Sequence, residues 1–394
     1  MNEVELTTNA KAVQARCSGC GGMLLYDPAV RSLRCRHCLL QAPIPTIGSP
    51  GPRELSLRDG LARAPRGYGT ETLRVECGSC GAIVHLAPEE RATRCTYCAS
   101  PTVITRPPDP SLLQPESMIP FLVPQPQATQ GFEQWLSKLW FRPGNLSRMA
   151  RVEGIHGVYL PYWTFDADVE SQWKAERGEY YYTTEYSTEE DEHGDPVSRK
   201  RQVQHTRWKP VRGHRQDHYD DVLICASKGV REDLAEKLCT FDTKQLVPYS
   251  PGYLYGWRAE AYATDLPTAW SKGQEIIRVQ QEQRCAEDVG GDTHRNLEVQ
   301  HIFRRETFKH VLLPLFVLAY RYNGRPYQVL VNGQTGEVVG KAPLSVWKVM
   351  ALVILANLLV LLVSLIALPL LLITIPGMIY EVYLFHKHWN DWFG

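Results

Sequence analysis

Hydrophobic patterning divides the chain into unlike regions. The strongest signal lies at the C-terminal end, where Val349 to Tyr380 carries Asn357, Ser364 and Thr374 as its polar interruptions and no charge falls between Lys348 and Glu381. A hydrocarbon core of about 30 Å takes about 20 apolar residues to cross, so this run of 32 predicts a transmembrane segment over 346–380. Pro369 and Pro376-Gly377 mark places to kink or turn, giving one tilted or kinked span or a helical hairpin turning near Pro369. The 381–394 tail mixes Tyr383, Phe385, Trp389, Trp392 and Phe393 with His386, Lys387 and His388 and reads as an interfacial aromatic tail.

Between Met118 and Lys341 strand and helix signals alternate. Gly131 to Trp140 and Asp265 to Asp288 predict amphipathic helices, the second with Leu266, Trp270, Ile276 and Ile277 as its apolar stripe. Strands are predicted over Gly157 to Val169, Glu179 to Ser187, Ser198 to Trp208, Val311 to Tyr322, Tyr327 to Val331 and Glu337 to Gly340. Asn323-Gly324 and Gln334-Thr335-Gly336 predict hairpin turns. Val158 to Trp163 and Val311 to Phe316 echo one another, each with a proline at its fourth position, which suggests two related β units with Pro161 and Pro314 at strand starts or edges. Glu189 to Glu192 opposite Arg199 to Arg201 predicts a solvated hairpin tip, and the polar segment Arg212 to Asp221 predicts an exposed loop. Two proline-rich stretches, 39–70 and 101–126, predict semi-rigid spacers.

Chemistry concentrates near the start. Cys17-Ser18-Gly19-Cys20 is followed after fourteen residues by Cys35-Arg36-His37-Cys38. The arrangement recurs 60 residues later as Cys77-Gly78-Ser79-Cys80 and Cys95-Thr96-Tyr97-Cys98, with Gly21, Pro28, Arg31 and Arg34 echoed by Gly81, Pro88, Arg91 and Arg94. Four thiolates from two C-x2-C knuckles make a closed tetrahedral Zn(II) site with no position left for water, so two structural zinc ions are expected. A module of about 22 residues cannot bury enough to fold alone, so the metal supplies its folding free energy. With four thiolates per site, His37 and His85 read as bystanders, and Cys225, Cys239 and Cys285 as core thiols.

Charge narrows the partners. The whole chain balances 43 Lys+Arg against 43 Asp+Glu, and residues 1–110 hold 13 basic against 10 acidic residues, a net of +3. That is a thin footprint for phosphate binding, and Tyr26, Tyr68 and Tyr97 provide no stacking set, so protein partners are expected before nucleic acid, with a membrane-tethered nucleic-acid-binding zinc-ribbon protein as the alternative. No signal-peptide h-region occurs in residues 1–16. With Lys341 and Lys348 preceding the apolar run, this places the chain at the inner (plasma) membrane with its bulk cytoplasmic. No phosphate loop, H-E-x-x-H or G-x-S-x-G is present, and Asp191-Glu192-His193 sits in a polar loop without a phosphate loop elsewhere. His214, Asp217 and His218 lie in the polar segment and are not read as a metal site. No catalytic residue, small-molecule substrate or enzyme activity is expected.

The expected class is α+β: a tail (1–16), zinc ribbons at 17–38 and 77–98, linkers at 39–76 and 99–126, an aromatic-rich, mostly antiparallel α+β domain (127–345), and the transmembrane helix or hairpin. The cysteine pairs, Leu160-Pro161-Tyr162-Trp163-Thr164-Phe165-Asp166, Arg177 to Tyr182, Val247-Pro248-Tyr249, Phe308-Lys309-His310 and Val331 to Val338 together resemble a bacterial family of zinc-ribbon membrane proteins. Its members often carry the labels primosomal protein N′, helicase-like or TFIIB-type zinc-ribbon protein. The sequence holds no motor to match a helicase label. The resemblance implies a membrane anchor for phage-shock-protein-A-like or SPFH-like proteins, so a membrane-anchored adaptor that recruits proteins in envelope stress is expected, and the doubled ribbon departs from relatives that have one.

Overall fold

A computed structural model describes residues 16–45, 54–58, 73–86, 94–100, 103–106, 112–146, 155–190, 196–238, 241–323, 325–366 and 380–387. The tail before Arg16, Pro88, Arg91, the Asp191-Glu192-His193 tip, Cys239, Gly324, Pro369, Pro376-Gly377, Trp389, Trp392 and Phe393 lie outside the described residues.

Three very long strands organise the chain: β9 (His156–Glu190), β10 (Pro196–Cys225) and β13 (Thr293–Tyr322). β9 is central and pairs antiparallel with both neighbours. Its sequence changes along its length, and so does its cover. From Val158 to Val169 every residue is buried, in keeping with an apolar run covered on both faces. From Glu170 to Ala175 polar and buried positions alternate, the signature of one covered face. The cover on that face is α3 (Leu266–Val289), capped by Asp265, whose carboxylate accepts from the Thr268 N–H at 3.1 Å. The buried stripe of α3 is Leu266, Ala269, Gly273, Ile277, Gln281, Cys285 and Val289; Ile276, expected in the stripe, is exposed. Beyond Gly178, where β13 begins, β9 continues beside β10 alone.

These strands belong to a 12-stranded sheet. β14 (Arg325–Asn332) and β15 (Val338–Gly340) extend it beside β13. β4 (Leu55–Ser56) and β8 (Ser117–Met118) also lie against β13, and β11 (Val247–Pro248) lies against β8. On the other side β12 (Arg258–Glu260) joins β9 to β6 (Ile83–Leu86), and β6 leads to β5 (Leu73–Cys77) and β7 (Val103–Arg106). A separate three-stranded sheet holds β1 (Leu24–Asp27), β2 (Ser32–Cys35) and β3 (Gln41–Ala42). Among the described residues the chain also has α1 (Gln125–Ser137), α2 (Glu232–Lys237), α4 (Val346–Ile366) and a short helix over 380–387.

Several expectations change. The described parts of the proline-rich stretches are sheet and core: Leu55–Ser56 and Ser117–Met118 are strands, and Met118, Ile119 and Phe121 are fully buried. Arg212 to Asp221 is strand, since its alternating polar residues sit on a ribbon whose other face is covered. The two echoed segments do pair, with Pro161 opposite Leu312 and Pro314 opposite Tyr159. Their prolines lie inside long strands, where one neighbour hands over to another: β10 reaches Tyr162 and β12 reaches Tyr159, while β8 reaches Leu312 and β14 begins at Leu315. At such gaps the missing N–H leaves no ladder bond unmade.

The expected transmembrane helix or helical hairpin is overturned. Among the described residues no helix is long and apolar enough to cross a membrane. α4 starts at Val346 with Lys348 in its first turn, and the Lys348 Nζ donates to the carbonyls of Trp140 and Arg142, both at 3.0 Å. Within the described residues its uncharged part runs from Val349 to Ile366, about 27 Å at 1.5 Å per residue against a hydrocarbon core of about 30 Å. The fold is therefore mixed α/β around a large sheet, and the placement at the inner membrane with a cytoplasmic bulk loses its basis.

Candidate metal centres

Both cysteine modules bring four sulfurs together. Cys17, Cys20, Cys35 and Cys38 form one set and Cys77, Cys80, Cys95 and Cys98 the other, with the Sγ atoms of each set within 4.8 Å of one another. Individual separations are 3.4 Å for Cys17 to Cys38, 3.5 Å for Cys20 to Cys35, and 3.6 Å for both Cys77 to Cys98 and Cys80 to Cys95. Sulfurs at the corners of a tetrahedron about 2.3 Å from one ion would stand about 3.8 Å apart, so both sets fit a four-coordinate metal.

The backbone builds the two sets alike. After each first knuckle the chain turns at a glycine with positive φ, +71° at Gly21 and +74° at Gly81, and that residue's N–H donates to the carbonyl of Cys17 or Cys77. Amides of Gly19, His37, Ser79 and Tyr97 donate to Cys17, Cys35, Cys77 and Cys95 Sγ, each at 3.4 Å. Such donors favour thiolate. The Cys35 thiol is lowered to about 6 by the N–H groups of Cys38 and His37. Cys95 is lowered to about 5, chiefly by its contact with Cys80, and the same contact raises Cys80. His37 and His85 are not among the clustered ligand atoms.

The surroundings of the two sets differ. In the second module Tyr97 is fully buried, with its hydroxyl beside Glu260. Gln328 Nε2 donates to the carbonyls of Tyr97 at 2.5 Å and Gly229 at 2.6 Å, and Arg258 Nη1 donates to Thr96 Oγ1 at 2.9 Å. A Cβ at Gly229 would meet the Tyr97 ring at 2.5 Å, so this glycine admits the ring. The first module packs on the body with Leu24, Tyr26 and Leu33 in one buried cluster with Met118, Phe121 and Tyr159; the Tyr26 hydroxyl donates to the Phe121 carbonyl at 2.9 Å and its carbonyl accepts from Trp257 Nε1 at 3.0 Å. Its Cys20 and Cys38 remain exposed, as do Leu39 (58%) and Leu40 (41%).

One acidic group was not anticipated. Asp166, Asp220 and Asp221 bring carboxylate oxygens within 4.8 Å. A bulge between Tyr219 and Val222, with Asp221 at φ +52°, turns Asp221 inward. Lys309 is 2.8 Å from Asp221 Oδ1, 3.7 Å from Asp166 Oδ2 and 3.4 Å from Glu54 Oε1, so an ammonium already stands among these carboxylates. A visible hint lay in the resembling blocks: Lys309 is directly opposite Thr164 in the β9–β13 register, two residues from Asp166. His214 and Asp217 fall on opposite faces of β10, so the three residues His214, Asp217 and His218 do not converge; His218 Nδ1 meets Asp168 Oδ1 at 2.8 Å, and Asp217 pairs with Arg215 and Arg284. An open cleft of about 310 Å³ is lined by Cys225, Lys228, Glu232 and Lys272, among others, but its Lys272 and Glu232 are already paired at 2.8 Å.

The chain is 29% identical over 242 residues to a Bacillus subtilis (strain 168) protein named "Uncharacterized protein YdjG", an alignment covering 61% of this chain and 67% of that protein. No family model matches the chain. No solved structure matches it.

Proposed function

We propose that the chain is a non-enzymatic adaptor that uses two structural Zn(II) ions to hold a protein-recruiting surface. The observation that carries this reading is the unequal use of two similar modules. The second is buried in the body by Tyr97, whereas the first presents Leu39 and Leu40 beside its exposed cysteines. All-thiolate sets of four leave no open coordination position, which suits zinc in a structural role and not an activated water. Eight cysteines would supply the ligands, and the amide donors to Cys17, Cys35, Cys77 and Cys95 would share their negative charge. Partners of the phage-shock-protein-A-like or SPFH-like kind are what the family resemblance suggests.

Metal analysis of the purified full chain is expected to find two zinc ions, and fewer than one would overturn the metal reading. Capture of protein partners is expected to fall when Leu39 and Leu40 are both changed to Ser, with zinc content unchanged. Equal recovery of every partner by both proteins would overturn the recruiting role.

A further inference from the structure

α3 departs from its own pattern at one place. Ile276 belongs to the apolar stripe that the sequence predicts, yet it is 39% exposed while Gly273 and Ile277 beside it are buried. It lines the open cleft of about 310 Å³ instead. The rest of the apolar lining is Leu223 and Ile224 at the end of β10, Val230 before α2 and Ala235 within it. Sites for small ligands run from about 300 to 1,000 Å³ and combine an apolar lining with a few polar groups, so this cleft stands at the lower end of that range.

The charges in the lining do not cancel. Lys272 Nζ and Glu232 Oε1 neutralise one another at 2.8 Å, which ties α3 to α2 at the cleft. Ser227 is committed inward: its hydroxyl donates to Glu260 Oε2 at 2.7 Å and accepts from the N–H groups of Gly229 and Val230. Lys228 is exposed, and among the described residues its ammonium has no ion pair or hydrogen bond. Its stem passes the second module, with Cδ 4.0 Å from where a Cβ on Gly81 would stand. Two lysines and one glutamate leave the lining with one unbalanced positive charge. A lone ammonium is a point charge, and no second unpaired cation lines the cleft to help hold a phosphate, so the arrangement suits a monoanion.

We propose that this cleft binds a small amphipathic carboxylic acid, with its apolar body against Ile276, Leu223 and Val230 and its carboxylate on Lys228. Removing the apolar body from water supplies the non-directional part of the affinity. The charge-assisted contact with Lys228 supplies the preference for an acid over a neutral molecule of the same shape. The site adjoins the second module and shares no residue with the exposed Leu39 and Leu40 of the first.

The test is isothermal titration of the full chain with octanoate, using octanol as the uncharged counterpart. Titration to about 10 mM covers a ligand of about ten heavy atoms even at low efficiency per atom. Octanoate is expected to bind saturably, one per chain, and about tenfold more tightly than octanol, the effect of one hydrogen bond to a charged group. Lys228→Met keeps the stem beside Gly81 and removes the charge, so octanoate is expected to fall to the level of octanol while octanol is unchanged. Ile276→Asn is expected to weaken both ligands. Both side chains are exposed, so circular dichroism and metal content should stay as in the parent. No saturable binding of octanoate, equal affinity for octanoate and octanol, or octanoate binding that survives both variants, as it would on the exposed apolar surface of α4, would overturn the proposal.

Discussion

Two modules with the same cysteine spacing have been put to different uses. The first folds as its own three-stranded sheet and keeps Cys20 and Cys38 exposed. The second contributes β5, β6 and β7 to the 12-stranded sheet and sends Tyr97, from between two of its cysteines, into the body. The lesson is that the ligand set decides whether a metal can be held, while the residues inside the knuckle decide what the module is attached to. Position 37 of the first module is His and the equivalent position 97 of the second is Tyr, and the aromatic one is fully buried.

The largest test of that difference removes one ligand from each set. Structural zinc contributes about 10–16 kcal/mol in isolated modules, which matches the whole stability of a typical domain at about 5–15 kcal/mol. Cys95→Ser is therefore expected to abolish cooperative folding of the chain, because β5 to β7 and the seat of Tyr97 fail with it. Cys20→Ser is expected to release a separate small sheet and leave a folded body. Its cost is the lost packing around Tyr26, about 3–5 kcal/mol on the scale of an aromatic removed from a core. Urea unfolding followed by tryptophan fluorescence reads both. Equal losses would mean that the modules are equally built in.

How much of this was legible follows from what each signal depends on. The cysteine sets were, because C-x2-C spacing is local and its geometry is imposed by the knuckle itself. α3 was, from Asp265 to its end, because a capping residue and Pro267 announce its start. Ribbon length was not. Arg212 to Asp221 has the polar alternation of a half-covered strand, but what makes it a strand is β9 lying beside it, paired through residues 38 (Arg212 to Lys174) to 52 (Tyr219 to Ala167) positions away. The same holds for Leu55–Ser56 and Ser117–Met118, short segments in proline-rich sequence whose partners on β13 lie 253 (Leu55 to Phe308) and 194 (Ser117 to Val311) residues on. The apolar C-terminal run misled because composition counts residues, whereas crossing needs a continuous apolar helix, and no described helix meets that need.

A smaller effect concerns the seat of the second module, and it depends on pH. Glu260 is fully buried, and burial pushes its carboxyl up from 4.5 to about 7, against donation from Ser227 Oγ at 2.7 Å. The folded state thus holds this proton more tightly than the unfolded state does. The stability associated with the protonated carboxyl is complete below the unfolded value and is lost as pH rises through 7. Glu260→Gln keeps a neutral group there, so its advantage over the parent is expected to grow from near zero below pH 4.5 to about 3 kcal/mol above pH 7. Urea midpoints of both proteins across that range check this. A difference that does not change with pH would show that Glu260 does not titrate in the seat of Tyr97.

The smallest effect is the most discriminating, because it perturbs the two modules identically. Gly21 and Gly81 occupy the same turn, with φ of +71° and +74°; a Cβ at Gly21 would meet nothing within 4 Å, and one at Gly81 would graze the Lys228 side chain at 4.0 Å. Steric clash is thus absent at both, and Gly→Ala at either costs the left-handed backbone, about 1–2 kcal/mol. If the modules differ only in attachment, the same local cost must appear in different places. Gly81→Ala should lower the global unfolding midpoint, because its module is continuous with the sheet through β6 and β12. Gly21→Ala should leave that midpoint nearly unchanged and instead speed amide exchange within β1 to β3, if this separate sheet opens ahead of the body. Hydrogen exchange on the two variants distinguishes these outcomes, and a Gly21→Ala change that spreads into β9 and β13 would show that the first module is as much a part of the body as the second.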